Sequence, residues 1–468
     1  MRALLAVAVA VVTGAGAQTS APPPSPSPLT LPQLQELARK NDPRTGMARA
    51  QLEGANGKRD ETYWAWFPDF KTQIGFGGPT PEMRLNHTPG PETDPTTGKP
   101  VPHPTSLLDV TPGSRCWFCG TLGVGIASSV SITLPIYTFG KLQNGKSAAD
   151  HLVGAMTALL QKASDQATFD VTRAYWGYQT ARGAHDSVVD VRKKLGEAKK
   201  RAQKLLAEES DQVTKSDAMK LDYLAEEIEA QTAGAEKGAA LAFIAIRLLI
   251  GAGPDDNIVI AEEKLPPPPA QPDEEQVVRR ALTSRPEARA ALEQVAARRS
   301  LVEVEKAKLY PDFAIVGGAT LNITTSAESP NTVFAYNPYN TQSVFVALGL
   351  QATFDIPQKL ARIRQAEAQL NDALAQQRGA EQLVRLELRQ ALGDLQEARV
   401  RAERYTNQAA IGKQLAVQAS LSFDSGLGDA RELLEGTLLW QRAEGERFKA
   451  LFDAQIAWAS VQKASGGL

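Results

Sequence analysis

The strongest constraint on the fold of this 468-residue chain is an internal duplication. Residues 43–70 and 286–313 align without a gap, and each stretch ends in an aromatic residue followed by Pro-Asp-Phe, at 67–70 and 310–313. Such self-similarity is typical of a structure built from copies of one supersecondary unit. Length alone would suggest about three domains, whereas the duplication predicts two related units.

Each unit is predicted to contain a first helix, two extended strands, a very long helix and a closing helix. The segments that follow Leu142 and Leu360 lack proline for more than 60 residues and are rich in Ala, Leu, Glu, Gln, Lys and Arg, the residues that most favour helix. Helices of this length would extend about 100 Å. The predicted helices are 31–62, 141–209 and 215–251 in the first unit and 272–308, 359–422 and 430–464 in the second.

The apolar positions of the long helices mix alanine with intermittent leucine and valine at steps of three and four, as in 370–395. Small residues on one face allow close antiparallel pairing, which predicts coiled-coil partners for both long helices. An ordinary helical bundle would show the same helix pattern. The segments between the helices must therefore distinguish the two folds.

Between the helices, apolar residues alternate with small or polar ones over unusual lengths. The alternation runs through 122–136 and 342–356, and the preceding segments 68–77 and 312–323 are predicted to be their partner strands. A soluble strand averages five or six residues, whereas a tilted membrane-barrel strand needs about ten, with an apolar outside and a polar or small inside. The pattern argues against an ordinary bundle and predicts four membrane strands.

Four strands cannot close a barrel, and open edges in lipid cost several kcal/mol for each unsatisfied backbone group. The chain is therefore predicted to oligomerise. Two copies would match the smallest barrels of eight strands and leave little lumen, whereas three copies would give twelve strands and room for a channel.

Aromatic residues gather where the predicted helices meet the strands. Aromatic side chains at one level of a set of strands are typical of an interfacial girdle in a membrane barrel. Simple packing at a helix-to-strand corner is an equally good interpretation of any single one. The candidate interfacial aromatics are Trp64, Trp66, Phe67, Tyr137, Phe139 and Tyr310.

The first residues have the pattern of a cleaved export signal. Arg2 supplies a positive charge, residues 3–12 form an apolar core, and residues 15–17 match the small-residue cleavage rule. We expect residues 1–17 to be a signal peptide and 18–30 a proline-rich spacer, with a buried N-terminal helix as the alternative. No cysteine lies near the cleavage point to carry a lipid anchor.

Charge and hydropathy exclude several classes of protein. The chain has 51 Lys and Arg against 53 Asp and Glu, a net charge of −2, so it lacks the basic field that nucleic-acid binding requires. The mean hydropathy of −0.27 and the lack of a long apolar run after the signal exclude a helical membrane protein. Alternating membrane strands remain compatible with both observations.

With these features the sequence resembles the TolC family of outer-membrane efflux proteins. The resemblance rests on the duplicated tetrads, on the strand-to-helix segment 135–142 and on the turn 423–429. It implies a mainly α protein with a β-barrel segment. The expected homotrimer would have a twelve-stranded barrel in outer-membrane lipid that continues as an α-helical coiled-coil tunnel through the periplasm. It would dock to a periplasmic adaptor and an inner-membrane pump.

On this resemblance, the chain divides into repeat one at 31–252, a linker of the equatorial region at 253–271 and repeat two at 272–468. Two stretches depart from the family pattern, since 209–213 lacks the usual tip glycine and 355–358 lacks the usual aromatic and glycine. The tip residues expected to contact the adaptor are Phe423, Gly426, Leu427, Gly428, Val213 and Thr214.

The tip acids Asp211, Asp424 and Asp429 have two interpretations. In three copies around an axis they would form rings of negative charge that gate the channel and favour cations. Alternatively, acids at the tips cap helices, because 214–217 and 429–432 each have an N-cap residue three positions before an acid, the capping-box spacing. Asp211 and Asp424 lie outside these predicted caps and are the better gate candidates.

The cysteines Cys116 and Cys119 lie in a proline-rich loop at about 77–121. In an exported chain with no other cysteine, we predict a disulfide between them. A redox motif would need a helix N-terminus after a strand, and a metal site would need partners at a spacing that His87 and His103 do not match. No motif marks a catalytic or cofactor site, so an enzyme is not predicted.

The resemblance implies a passive exit duct that passes small toxic molecules, drugs or metal ions from an adaptor and pump to the exterior. Export of proteins by a type I system is the alternative within this class, and the sequence does not separate the two. A soluble periplasmic coiled-coil adaptor is the alternative from a different class. Such adaptors are not duplicated with two fifteen-residue alternating strands, as 122–136 and 342–356 are here.

Overall fold

The computed structural model describes residues 28–80, 96–98, 123–208, 213–253, 256–325, 340–425 and 427–467. The predicted signal peptide 1–17 and Asp211, Gly426, Cys116 and Cys119 lie outside the described residues. The expectations for these positions therefore stay predictions.

The same succession of helices and strands occurs twice along the chain. Each half has two consecutive helices, two strands, a very long helix and a closing helix, and a 3-10 turn at Trp64–Trp66 joins α2 to β1 in the first half. The first half contains α1 (Leu31–Asn41), α2 (Pro43–Tyr63), β1 (Asp69–Thr80), β2 (Gly123–Tyr137), α3 (Lys141–Ala207) and α4 (Lys215–Leu249). The second half contains α5 (Glu274–Ser284), α6 (Pro286–Ala307), β3 (Asp312–Thr324), β4 (Thr341–Gln351), α7 (Ile356–Asp424) and α8 (Ala430–Ala464).

The first helix of each half is broken, whereas the sequence predicted one continuous helix at 31–62 and at 272–308. The breaks fall at Asp42 and Arg285, directly before Pro43 and Pro286. Proline has no backbone N–H to continue a helix and disfavours helical geometry in the residue before it, but it fits the first position of a new helix. The prolines of the duplicated stretch therefore start α2 and α6.

The fourth strand ends earlier than predicted. It stops at Gln351 rather than at residue 356, and α7 begins at Ile356 with Pro357 in its first turn. The buried Lys359 donates from Nζ to the Thr353 carbonyl oxygen at 2.6 Å. This contact ties the segment after β4 to the first turn of α7. The strand ends where its partner ends, since Gln351 lies opposite Asp312, the first residue of β3.

The two long helices contain 67 residues in α3 and 69 in α7, so each is about 100 Å long. Helix α3 packs against α4 and α6, and α7 packs against α8 and α6. Helix α3 also contacts α8, which joins the α3/α4 hairpin to the α7/α8 hairpin. Within the described residues, no helix is long and apolar enough to cross a membrane.

Helices α7 and α8 approach each other closely at two glycines. A β-carbon on Gly412 would lie 3.0 Å from Trp440 Cα, and one on Gly436 would lie 3.2 Å from Ala416 Cα. Both neighbours are backbone atoms, so neither can move aside as a flexible side chain would. The pairing of the two helices therefore depends on having no side chain at these positions.

The four strands form one antiparallel sheet in the order β1-β2-β3-β4. Strands β2 and β3 pair along most of their length, from Gly125 opposite Thr324 to Tyr137 opposite Phe313, so the sheet joins the two halves of the chain. Strands β1 and β4 each pair on one side only among the described strands.

The register separates the sheet into an apolar face and a small or polar face. Residues directly opposite one another share a face, and the pairs follow the alternation of the sequence. The apolar face carries Phe70, Ile74, Phe76, Ile126, Ile132, Leu134, Ile315, Leu321, Ile323, Val344, Val346, Leu348 and Leu350. The other face is mostly small or polar, with Val316 and Phe345 as apolar exceptions, and carries, among others, Gln73, Ser129, Ser131, Thr320 and Ser343. The apolar face is exposed in the single chain, with Val344 and Leu348 each 82% exposed.

We expect Gly412→Ala to lower the free energy of unfolding by about 1–3 kcal/mol, because the added methyl group meets immovable backbone. Gly379→Ala and Gly393→Ala are matched controls in the same helix, since nothing lies within 4 Å of a β-carbon at either position. The controls should stabilise by about 0.5–1 kcal/mol through helix propensity. Unfolding followed by circular dichroism measures both, and destabilisation of equal size at all three positions would contradict the close approach.

The buried carboxylate of Asp42 predicts a loss of stability in acid. It accepts from the Arg44 backbone N–H at 2.7 Å and pairs with the Arg44 guanidinium, which also reaches Asp170 on α3 at 2.7 Å. Burial raises the pKa of Asp42, but the hydrogen bonds and charge of Arg44 outweigh it and hold the pKa below its usual value. The charged form therefore stabilises the fold above about pH 4, and this contribution is lost as the pH falls through the lowered pKa.

The variant Asp42→Asn keeps a capping side chain and removes the charge. It should unfold more easily than the unmodified chain at neutral pH, and the difference should shrink as the pH is lowered below 4 in denaturant titrations. A difference that is constant over the whole pH range would show that the charge is not responsible.

Candidate functional site

The tip of the second hairpin, between α7 and α8, is a tight turn. The amides of Leu427 and Gly428 both donate to the Ser422 carbonyl oxygen, at 2.9 and 3.0 Å. A β-carbon on Gly428 would lie 2.8 Å from that of Ser422, so a side chain would not fit without a shift. Phe423 is 1% exposed and Leu427 is 88% exposed. The buried Phe423 thus anchors the turn, and Leu427 lies on its outer surface.

The tip of the first hairpin is fixed by a reciprocal cap. The Thr214 hydroxyl accepts from the Asp217 backbone N–H at 3.2 Å, and the Asp217 carboxylate accepts from the Thr214 backbone N–H at 3.2 Å. The hydrogen bond from the Thr214 hydroxyl, at 2.7 Å, lowers the pKa of Asp217 below its usual value. Val213, directly before the cap, is buried among apolar side chains of both hairpins.

An ion pair joins the two tips. Arg201, near the end of α3, donates from Nη1 to Asp424 Oδ1 at 2.8 Å, and its other Nη donates to the Asp424 carbonyl oxygen. The same guanidinium lies over the Phe423 ring, 5.8 Å from its centroid. Arg201 therefore binds both the side chain and the backbone of the last residue of α7.

The tip acids differ in what they contact. Asp429 accepts from the Glu432 backbone N–H at 2.8 Å and is the N-cap of α8, as the capping interpretation predicts. Asp217 caps α4. Asp424 instead faces the first hairpin through Arg201, so its charge is partly compensated. Among the described residues, no group of three His, Cys, Asp or Glu side chains could hold a metal ion.

The predicted interfacial aromatics form two groups at the junction of helices and sheet. In the first group, Trp64 and Trp66 stack with ring centroids 6.1 Å apart, and both meet Phe67 edge-on at 6.3 Å. Phe67 in turn contacts Phe70 on β1. All four side chains are largely exposed, Trp64 by 63%, so they are not the packed core of a corner in the single chain.

The second group links the two halves of the chain. Phe139 contacts Tyr137 at 4.7 Å and stacks on Tyr310 at 5.0 Å, with 15° between the ring planes. Phe139 has φ of +49°, a conformation uncommon for a residue other than glycine, and Gly140 follows with φ of +86°. This left-handed pair turns the chain from β2 into α3 and presents the Phe139 ring to the other half.

Sequence reasoning missed two of the polar contacts that position these groups. Lys141, the first residue of α3, donates to Asp312 at 2.7 Å and to the Tyr310 carbonyl oxygen at 3.2 Å. Arg201 is one of many basic residues on α3, and its partner Asp424 is 223 positions away. The aspartate of each duplicated tetrad was a visible signal for the first contact, whereas nothing in the sequence marked the second.

We expect Thr214→Ala to speed hydrogen exchange at the first amides of α4, because the Asp217 N–H loses its acceptor. Loss of an N-cap costs about 0.5–2 kcal/mol, which corresponds to faster exchange by about twofold to thirtyfold. Thr214→Ser keeps the hydroxyl and is the matched control. If the alanine and serine variants exchange alike, the cap does not hold this helix end.

Comparison with known proteins gives a family match over part of the chain and a fold over most of it. Residues 277–467 match the model of the outer membrane efflux protein family, whereas comparison with curated proteins gives no significant match. Solved outer-membrane channels share the fold at low sequence identity.

The outer-membrane channel OprN has a TM-score of 0.69 at 19% identity, with 94% of this chain and 90% of that chain covered. CmeC of Campylobacter jejuni has a TM-score of 0.71 at 14% identity, with 93% of this chain and 85% of that chain covered. VceC of Vibrio cholerae has a TM-score of 0.70 at 16% identity, with 93% of this chain and 96% of that chain covered. The family match thus lies in the second half of the chain, and the fold of these outer-membrane proteins extends along nearly its whole length.

Proposed function

We propose that three copies of this chain form a passive exit duct in the outer membrane. The observation that carries the proposal is the sheet, with one apolar face exposed in the single chain and with β1 and β4 each paired on one side only among the described strands. Pairing β1 of one copy with β4 of the next satisfies these edges and turns the apolar face toward lipid. Three copies then give twelve strands with a mostly small or polar lumen.

The helical hairpins extend this duct beyond the membrane. Each copy contributes the α3/α4 and α7/α8 hairpins, whose long helices are about 100 Å in length. The aromatics Trp64, Trp66 and Phe67 and the group around Phe139 lie where the sheet meets the helices, at the level where a girdle would meet lipid headgroups. An N-terminal signal at 1–17, cleaved on export, delivers the chain to this compartment.

An adaptor and an inner-membrane pump supply the energy, because the sequence has no nucleotide-binding motif. The adaptor contacts the tips, where Leu427 is exposed and the neighbouring turn is fixed by Gly428 and the buried Phe423. At the other tip Val213 is buried and Thr214 is exposed, and Gly426 stays a further proposed contact from the sequence. The cargo is a small toxic molecule, a drug or a metal ion.

The ion pair between Arg201 and Asp424 is proposed to set the charge at the periplasmic mouth. With Arg201 in place, a ring of Asp424 side chains carries compensated charge, and Asp429 is engaged as a helix cap. Loss of the Arg201 side chain would therefore leave the charge of Asp424 uncompensated. Asp211 stays a second candidate for the same ring.

In planar bilayers we expect Arg201→Gln to increase the cation preference and the single-channel conductance, because an uncompensated ring of Asp424 attracts cations. Arg192→Gln is the matched control, since Arg192 pairs with Glu229 within the first hairpin and, among the described residues, forms no ion pair with the second. Asp424→Asn combined with Arg201→Gln should remove the added cation preference. Equal behaviour of the Arg201 and Arg192 variants would contradict the proposed role of the ion pair.

The duct itself is tested by extraction, mass and loss of function. The protein should require detergent for extraction, have the native mass of three chains and conduct ions in bilayers. Deleting its gene should raise susceptibility to toxic molecules while secreted proteins are unchanged. A monomer released without detergent would favour a soluble adaptor, and loss of one secreted protein with unchanged susceptibility would favour type I export.

A further inference from the structure

The duplication relates the strand pairs β1/β2 and β3/β4 residue by residue. Two kinds of residue mark equivalent positions, the aspartate of each tetrad and the lysine near the start of each long helix. They are Asp69 and Lys141 in the first unit and Asp312 and Lys359 in the second. Asp69 lies opposite Thr133, eight residues before the first lysine, and Asp312 lies opposite Gln351, eight residues before the second. The two strand pairs therefore have the same register.

The junction between the units shows how one strand pair joins another. Strands β2 and β3 meet there, and Thr133 lies opposite Val316. The outer strands β4 and β1 are the equivalent pair between two copies. Counted from the marker residues, Gln351 is equivalent to Thr133 and Gln73 is equivalent to Val316. The duplication thus places Gln351 opposite Gln73 of the next copy.

This register keeps both faces of the sheet continuous from copy to copy. On the apolar face it sets Leu350 opposite Ile74 and Leu348 opposite Phe76, all four of which are exposed in the single chain. A slip by one residue would set these side chains against the small or polar face. A slip by two residues would preserve the faces, so the duplication, rather than the alternation, selects one register.

The junction within the chain also has an ion pair. Lys141 of the first unit donates to Asp312 of the second at 2.7 Å, beside the last pairs of β2 and β3. The equivalent residues at the outer strands are Lys359 and Asp69, which belong to different copies once β4 and β1 meet. The same register therefore brings a lysine of one copy to an aspartate of the next.

The charges at the start of α7 favour this contact. In the single chain Lys359 and Arg362 share one carboxylate, that of Asp355, at 3.5 and 3.9 Å. The Lys359 ammonium has three N–H donors, so it can keep its present contacts and bind another acid. Asp69 pairs with Lys71 of its own strand, and its side chain is 58% exposed. A positive end of β4 thus meets an accessible carboxylate on β1.

We propose that β4 of each copy pairs with β1 of the next in the register that sets Gln351 opposite Gln73, and that Asp69 of the next copy binds Lys359. In a closed ring this register also fixes the tilt of the strands and the width of the lumen, because the stagger between neighbouring strands determines both. This contact rests on the proposed duct and specifies which residues of neighbouring copies meet in it.

Disulfide cross-linking tests the register. In a chain with Cys116→Ser and Cys119→Ser, the pair Gln351→Cys and Gln73→Cys is oxidised in cell-envelope membranes and analysed on non-reducing gels. Strands β2 and β3 lie between β1 and β4 within one chain, so a disulfide between these positions must join two copies. We expect covalently linked species of two and three chains, which a reductant separates.

The matched controls move one cysteine by two residues along the same face. They combine Gln351→Cys with Lys71→Cys or with Gly75→Cys. Residues directly opposite have Cα atoms about 4.5–5.5 Å apart, within the range of a disulfide, whereas diagonal neighbours are about 7–8 Å apart. Each control should therefore give at least about fivefold less linked product.

The register is overturned if a protein with the native mass of three chains links best through Lys71→Cys or Gly75→Cys, or through none of the three pairs. Both of these results leave the duct intact. A native mass of one chain, with no linked product, would contradict the duct as well. Failure of the register and failure of the duct are therefore distinguishable.

The ionic contact is tested with Asp69→Asn, which removes the charge and keeps the shape of the side chain. Loss of one such contact should weaken the association of two copies by about twofold to fivefold. Release of one copy from a ring of three breaks two contacts, so dissociation in detergent should be faster by about fourfold to twenty-fivefold on native gels. Asp60→Asn, which loses an exposed pair with Arg59 on α2, is the control and should leave the rate unchanged. Equal rates for the two variants would show that Asp69 does not bind the next copy.

Discussion

The close approach of helices that are about 100 Å long is the constraint on which the rest of this structure depends. Such helices cannot fold around a compact core, so they must be stabilised along their sides by other helices. Gly412 and Gly436 allow the backbones of α7 and α8 to come together where any side chain would collide with main-chain atoms. Alanines such as Ala402 and Ala454, both nearly fully buried in this region, continue the same close packing.

The two copies of the duplicated unit together form both the sheet and the paired helical hairpins. The strands of each unit pair across the boundary between units, β2 with β3, so neither half can form the sheet alone. Contacts between the helices of the two units are made mainly by α3 with α6 and α8. At the far end, the ion pair of Arg201 with Asp424 joins the tips. The two units are thus joined at the sheet, along the helices and at the tips.

Much of the fold could be predicted from the sequence because its signals are local and periodic. The absence of proline and the helix-favouring composition predicted α3 and α7, and the period of two predicted four strands with one apolar face. The breaks before Pro43 and Pro286 were in principle visible, since proline at the first position of a helix is common. The early end of β4 follows from its partner strand, since Gln351 lies opposite Asp312, the first residue of β3, a pairing that no period reveals.

The candidate site was predicted less completely because its contacts are non-local. The cap at Thr214 follows from residues three apart, and the sequence correctly suggested it. By contrast, the stacking of Phe139 on Tyr310 and the pairing of Arg201 with Asp424 require the relative position of elements from different units.

The central claim is that separate copies complete one another's sheet. Cryo-electron microscopy of the purified protein in lipid nanodiscs tests this most directly, because it images the assembly and the strand order together. We expect a closed ring of three copies, with β1 of each copy beside β4 of the next and with the helical hairpins continuing the ring as a tunnel. Single copies with open sheet edges, or rings in which β1 pairs with β1, would contradict the claim.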